Sequence, residues 1–299
     1  MSFRLVAATL LQLMMAGFGV MPDAAGATLP DPATGEINGT IALLLWPVSP
    51  DASRQPLSAE GCEVHLTLSD SQTDETRYPC SGWFQPPGRG RYLVWLEQGE
   101  TVSPQTFITF DYLRFRGLGQ TILMPMRAAG WLRVDAPKTA DGATVRVLSL
   151  EESAEDVRAF DRRVPASQGG VTVRVPAGRA IAGVFDSTGR ARALSRPVQV
   201  KKGTTRTVAP STPPNTDVLV SLVRRNHKHA DACRSSIVFP NGSEQPAEAT
   251  LVAWDRVVAV WYGLKSAEGR VLVDCGPSKF EKEIQLARFK VITIRDELH

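Results

Sequence analysis

The chain has 299 residues, of which 43% are hydrophobic and 22% charged. That balance excludes global disorder and leaves room for two or three domains. With 34 basic against 31 acidic residues and a net charge of +3, no dense basic field exists, which argues against nucleic acid as a partner.

Residues 1–27 read as a signal peptide. Arg4 is a short positive segment, Leu5 to Met21 an apolar run, and Ala25-Gly26-Ala27 a small-x-small cleavage site. Pro22 and Asp23 close the run, which is short for a membrane span, although an uncleaved anchor is the alternative. After residue 27 no apolar run approaches spanning length. The leader and the Ala/Arg/Gly-rich style suit an exported bacterial protein, periplasmic or secreted.

The mature part divides into three segments of alternating pattern: 28–129, 130–209 and 210–299. In the first, residues 37–46 and 62–68 predict strands, the second with Cys62, Val64, Leu66 and Leu68 on one face and Glu63, His65 and Thr67 on the other. Residues 69–77 read as a polar turn. Trp83-Phe84, a Pro86-Pro87-Gly88 break and a strand over 91–96 read as a hairpin, followed by strands over 106–115 and 121–126. Ala128-Ala129-Gly130 marks the junction.

The second segment predicts strands over 131–134 and 143–150. Residues 151–163 then read as its one short helix: Ser153 with Asp156 resembles a capping box, acids crowd the first turn, and Arg162 and Arg163 suit the C-terminal end. Val171 to Val175, Pro176-Ala177-Gly178 and Ala180 to Phe185 read as a hairpin with a short turn. Residues 196–208 supply the last strands, and the proline-rich 209–215 a linker. The third segment predicts strands over 218–223 and 235–239, a hairpin over 249–262 turning at Asp255-Arg256, and strands over 271–275 and 289–294. The three strand-turn-strand units lie 79 to 89 residues apart (from Pro87, Pro176 and Asp255), which suits tandem β-sandwiches of about 80–100 residues each.

The middle segment, with Val171 to Val175, Pro176, Gly178, Ala180 to Phe185 and Thr204 to Val208, resembles the carboxypeptidase regulatory-like domain, a transthyretin-like β-sandwich. A looser version stands at Pro87 to Tyr92, and the third segment lacks the Pro-Gly turn. The resemblance implies an accessory module without catalytic residues. The expected fold is therefore all-β: three tandem Ig-like or transthyretin-like β-sandwich modules, with one helix in the middle one.

Four cysteines in an exported chain favour disulfides, and the segment boundaries select Cys62 with Cys80 and Cys233 with Cys275. His227, His229 and Asp231 form the candidate metal loop, opposed by Arg224, Arg225 and Lys228 beside them. No His-x-x-Glu zinc pair, Gly-x-Ser-x-Gly elbow or phosphate-binding glycine loop is present. The aromatic set of the first segment gives the candidate binding surface: Trp83, Phe110 and Tyr112, with Arg114 beside them. The expectation is a non-catalytic binding or scaffold protein of the bacterial envelope, with an envelope protein or glycan as partner and no cofactor. A carbohydrate-binding module array is the alternative, and a metal-binding or hydrolytic protein centred on His227 and His229 the third.

Overall fold

A computed structural model describes residues 43–51, 53–68, 74–80, 82–110, 120–135, 142–150, 160–167, 169–224, 233–252, 256–288 and 290–298. The predicted signal peptide lies outside them. In the described residues the protein is all-β, and no helix is long and apolar enough to cross a membrane.

Module 1 contributes β1 (Leu43–Val48), β2 (Cys62–Leu68), β3 (Glu75–Pro79), β4 (Gly90–Gln98), β5 (Thr101–Val102), β6 (Thr106–Phe110) and β7 (Gln120–Pro125). Module 2 contributes β8 (Arg127–Val134), β9 (Thr144–Ser149), β10 (Asp161–Pro165), β11 (Val171–Pro176), β12 (Gly178–Phe185), β13 (Ala191–Leu194), β14 (Val198–Val200) and β15 (Thr205–Val208). Module 3 contributes β16 (Thr216–Arg224), β17 (Arg234–Val238), β18 (Glu244–Pro246), β19 (Ala249–Val252), β20 (Arg256–Leu264), β21 (Glu268–Asp274), β22 (Lys279–Gln285) and β23 (Lys290–Leu298).

These strands form five sheets. β1 and β7 pair in parallel as the first. The second runs β11-β8-β5-β4-β2-β3, with β15 on β8 and β6 on β4. The third runs β10-β9-β12-β13, with β14 on β12; the fourth β19-β20-β16-β23; the fifth β18-β17-β21-β22.

Four apolar cores fill the spaces between successive sheets. Leu43, Val64, Val94 and Met124 lie between the first and second. Trp95, Leu132, Val147 and Ala182 lie between the second and third. Leu148, Ile181, Leu219 and Val258 lie between the third and fourth, and Val220, Trp261 and Val271 between the fourth and fifth. β4 shows the principle: Tyr92, Val94 and Leu96 face one core while Leu93 and Trp95 face the next. A strand buried on both faces reads as a continuous apolar run, as 92–96 does.

Both disulfides form as expected, Cys62–Cys80 and Cys233–Cys275. Several local expectations are corrected. Val171 to Phe185 is not a hairpin: β11 pairs β8 in the second sheet and β12 pairs β9 in the third, with Ala177 alone between them. Phe84 bridges Leu43 in the first layer while β4 lies in the second, so that unit is a crossing too. Only β19–β20 pairs with itself as predicted. Alternation records which face a residue occupies, not which strand it pairs with. Residues 75–77 are strand rather than turn, and the predicted junction at 129–130 falls inside β8, which pairs β5 of module 1. The predicted helix fails at its end, since Asp161, Arg162 and Arg163 are strand; residues 151–159 lie outside the described residues.

Candidate functional site: a charged junction of three modules

The polar chemistry of the chain gathers on β10. Alternation sends Arg162 toward module 1 and Asp161 with Arg163 toward module 3. The ladder agrees: Arg163 lies opposite Arg146 and Asp161 opposite Leu148, whose side chain belongs to the core shared with module 3.

On the module 1 side, β2 brings His65 and Thr67 to the same buried face as Trp95 of β4. This is the polar face of 62–68, and module 2 covers it: His65 is 1% exposed. Its ring stacks on Trp95 with centroids 5.2 Å apart. Arg162 forks across two carboxylates, Nη1 donating to Glu97 at 2.6 Å and Nη2 to Glu75 at 3.0 Å. Glu97 also accepts from Trp95 Nε1 at 3.1 Å, with Arg174 3.5 Å away. Glu75 pairs with His65 Nδ1 and Arg77 Nε, each at 2.8 Å. Burial pushes the Glu75 carboxyl up, but the His65 hydrogen bond and the Arg162 charge, with Arg77 beyond, outweigh it and bring its pKa down to about 2.

Asp161 ties all three modules. Arg146 of module 2 grips it with Nε at 2.6 Å and Nη2 at 2.5 Å. Arg256 of module 3 donates to it at 2.6 Å. Its own backbone N–H donates to Gln105 of module 1 at 2.9 Å. Gln105, which accepts through its side-chain Oε1, lies in the break between β5 and β6 that holds Pro104. Ser103 patches the gap, its N–H donating to Leu96 O and its Oγ accepting from Leu96 N–H. Burial would raise the Asp161 pKa, but Arg146 above all, then Arg256 and Arg163, hold it far below the usual carboxylate range.

This arrangement pairs each described carboxylate with a cation of the protein itself. His65 is enclosed by Glu63, Glu75 and Glu97 and closed to solvent. Among the described residues no group of three or more His, Cys, Asp or Glu is placed to hold a metal ion.

The residues singled out in the sequence fare differently. Phe110 is 3% exposed and fills the core of module 1, so it belongs to no surface strip. Trp83 is half-buried against Leu44, Trp46 and Val48. Tyr112, Arg114, His227, His229 and Asp231 lie outside the described residues. Sequence reasoning missed His65, Glu75, Glu97, Arg146, Asp161 and Arg162. The available signal was a charge set between β-branched residues, as Arg146 is within Ala143 to Leu150; a buried charge needs a partner.

No family model matches the sequence, and no curated protein matches it. Among solved structures, the chain is similar to a leucine-rich repeat protein from Bacteroides thetaiotaomicron, at TM-score 0.30 and 7% identity over 56% of this chain, spanning 26% of that protein's length. A streptococcal ancillary pilin gives TM-score 0.21 at 12% identity, covering 87% of this chain and 99% of that one. The major pilin subunit BcpA of Bacillus cereus gives TM-score 0.20 at 10% identity over the same shares of the two chains.

Proposed function

We propose that the protein is a non-catalytic binding or scaffold component of the bacterial envelope, periplasmic or secreted, that presents its surfaces on a locked stack of modules. The observation that carries this reading is Asp161, a buried carboxylate contacted from all three modules. A network of this kind spends its charge on holding modules in register rather than on a reacting group. The two disulfides support an oxidising compartment. The aromatics of module 1 support a scaffold over a carbohydrate-binding array, since Phe84, Tyr92, Trp95 and Phe110 are all buried.

The test is cross-linking of the tagged chain in intact envelopes, followed by identification of adducts and reconstitution of each with purified components. A partner that reconstitutes supports the reading. Turnover of an envelope substrate that disappears in a His65→Ala variant of unchanged fold would overturn it.

A further inference from the structure

The hairpin of β17 and β18 turns through Pro240, Asn241 and Gly242. Phe239 N–H donates to Ser243 O at 2.9 Å, and Gly242 N–H donates to Phe239 O at 2.9 Å. Proline early in the turn and glycine at φ +80° are what so tight a loop requires. Asparagine closes it with its side chain: Asn241 Oδ1 accepts from Ser243 N–H at 3.0 Å and from Ser243 Oγ at 2.6 Å. Asn241, Gly242 and Ser243 are all exposed. β18 is three residues long and stands at the edge of the fifth sheet, so this tip opens more easily than the strands behind it.

The turn sets a side-chain amide beside an unhindered backbone nitrogen. Gly242 has no side chain to shield its N–H, and apart from its chain neighbours no atom lies within 4 Å of where a Cβ would stand. Ser243 places two donors on the Asn241 amide oxygen, the atom that takes negative charge when a nucleophile adds to Cγ. A hydrogen bond to a charged oxygen is stronger than one to a neutral oxygen, so these donors favour the addition. Asn215, the other asparagine among the described residues, is placed differently. The residue after it, Thr216, is β-branched, 1% exposed and paired in the fourth sheet with Leu264 and Lys290.

We propose that Asn241 and Gly242 form a self-modification site, at which Asn241 converts to isoaspartate and aspartate with Ser243 stabilising the addition. Water is the co-reactant. An opening of the tip frees the Gly242 N–H from Phe239 O. The Gly242 nitrogen gives its proton to solvent base and attacks Asn241 Cγ, forming a C–N bond. The Cγ–Nδ2 bond then breaks, and Nδ2 takes a proton from solvent and leaves as ammonia. The product is a cyclic imide, which water opens at either of its two carbonyls. Cleavage between Cγ and the Gly242 nitrogen gives aspartate. Cleavage between the backbone carbonyl carbon of residue 241 and that nitrogen gives isoaspartate, with the main chain running through Cγ. Either product puts a carboxylate on the wall of the surface groove that Asn241 shares with Gln245 and Lys265. The inference goes beyond the scaffold reading and stands without it, because it concerns this loop alone.

The experiment holds the purified chain for weeks in mildly alkaline buffer and follows it by tryptic mapping with mass spectrometry. Residues 235–256 form one tryptic peptide whose sole asparagine is Asn241, and residues 207–224 another whose sole asparagine is Asn215. The expected result is the mass gain of an amide-to-acid exchange, placed at residue 241 by fragmentation. A protein isoaspartyl methyltransferase should label the same peptide, and the Asn215 peptide should stay unchanged over the same time. Ser243→Ala removes one of the two donors and should slow the conversion by about threefold or more, the worth of one hydrogen bond. Its position is exposed, so it should melt with the parent chain. No mass gain at residue 241, aspartate there without isoaspartate, conversion of Asn215 as fast as of Asn241, or undiminished conversion in Ser243→Ala overturns the proposal.

Discussion

At the scale of single residues, Asp161 concentrates the interactions that hold the modules in register. Its carboxylate lies among Arg146, Arg256 and Arg163, and it is 5% exposed. Removing one partner of a buried pair strands the others, at a cost of about 3–5 kcal/mol. Asp161→Ala should therefore lose about that much in urea unfolding, whereas substitution of the exposed Glu248, paired with Arg196, should change little. Glu75 makes the network sensitive to acid. Its folded pKa of about 2 lies below its ordinary value of 4.5. Its stabilisation is therefore fully present above about pH 5 and lost as pH falls toward 2, on the order of 3 kcal/mol. Asp161 shifts in the same direction and adds to it. Unfolding free energy measured from pH 7 to pH 3 should fall; a flat profile would show that neither carboxylate is held as described.

At the scale of elements, pattern and pairing come apart. The alternation of 171–175 is real, with Val173 and Val175 buried and Thr172 exposed. The strand that follows nevertheless leaves for another sheet. Pro176 has no N–H to extend the ladder, and Gly178 at φ +140° takes a conformation that other residues rarely adopt. Such a corner is written like a turn, and the sequence offers no means of telling a hairpin from a crossing. Gly130 is a second such position, small and flexible in sequence like a junction. It sits in the middle of β8, not at a boundary, because β8 passes close to the segment before β15. A Cβ there would stand 2.3 Å from Lys201 O and 2.9 Å from Thr204 O, both backbone atoms. Gly130→Ala should cost about 2 kcal/mol or more. A variant as stable as the parent in thermal melting would mean that the two segments do not approach so closely.

At the scale of the whole molecule, the modules are continuous. Modules 1 and 2 share the second sheet through β5 and β8, and modules 2 and 3 share an apolar core. Each disulfide stays within one module, closing loops of 18 and 42 residues, for which chain entropy gives about 3 and 4 kcal/mol. Neither holds one module to the next; packing does. A chain ending at residue 209 should expose Leu148, Ile181, Phe185 and Leu194, all at or below 5% exposure in the intact protein. It should bind a hydrophobic dye or associate in sedimentation, as large exposed apolar patches do. A monodisperse truncated chain that melts like the parent would show the third module to be an independent bead.

The sequence by itself determined that the chain is built of strands, where most of them lie and how the four cysteines pair. These follow from local rules: period two, turn chemistry and the spacing of cysteines. Only the tertiary structure decided that His65 and Thr67 are buried, that Asp161 to Arg163 continue a strand and that five sheets form one stack. A polar face is polar in sequence whether water or another module covers it. What covers it depends on side chains far along the chain, such as Gln105 and Arg256, that meet Asp161 only when all three modules have packed.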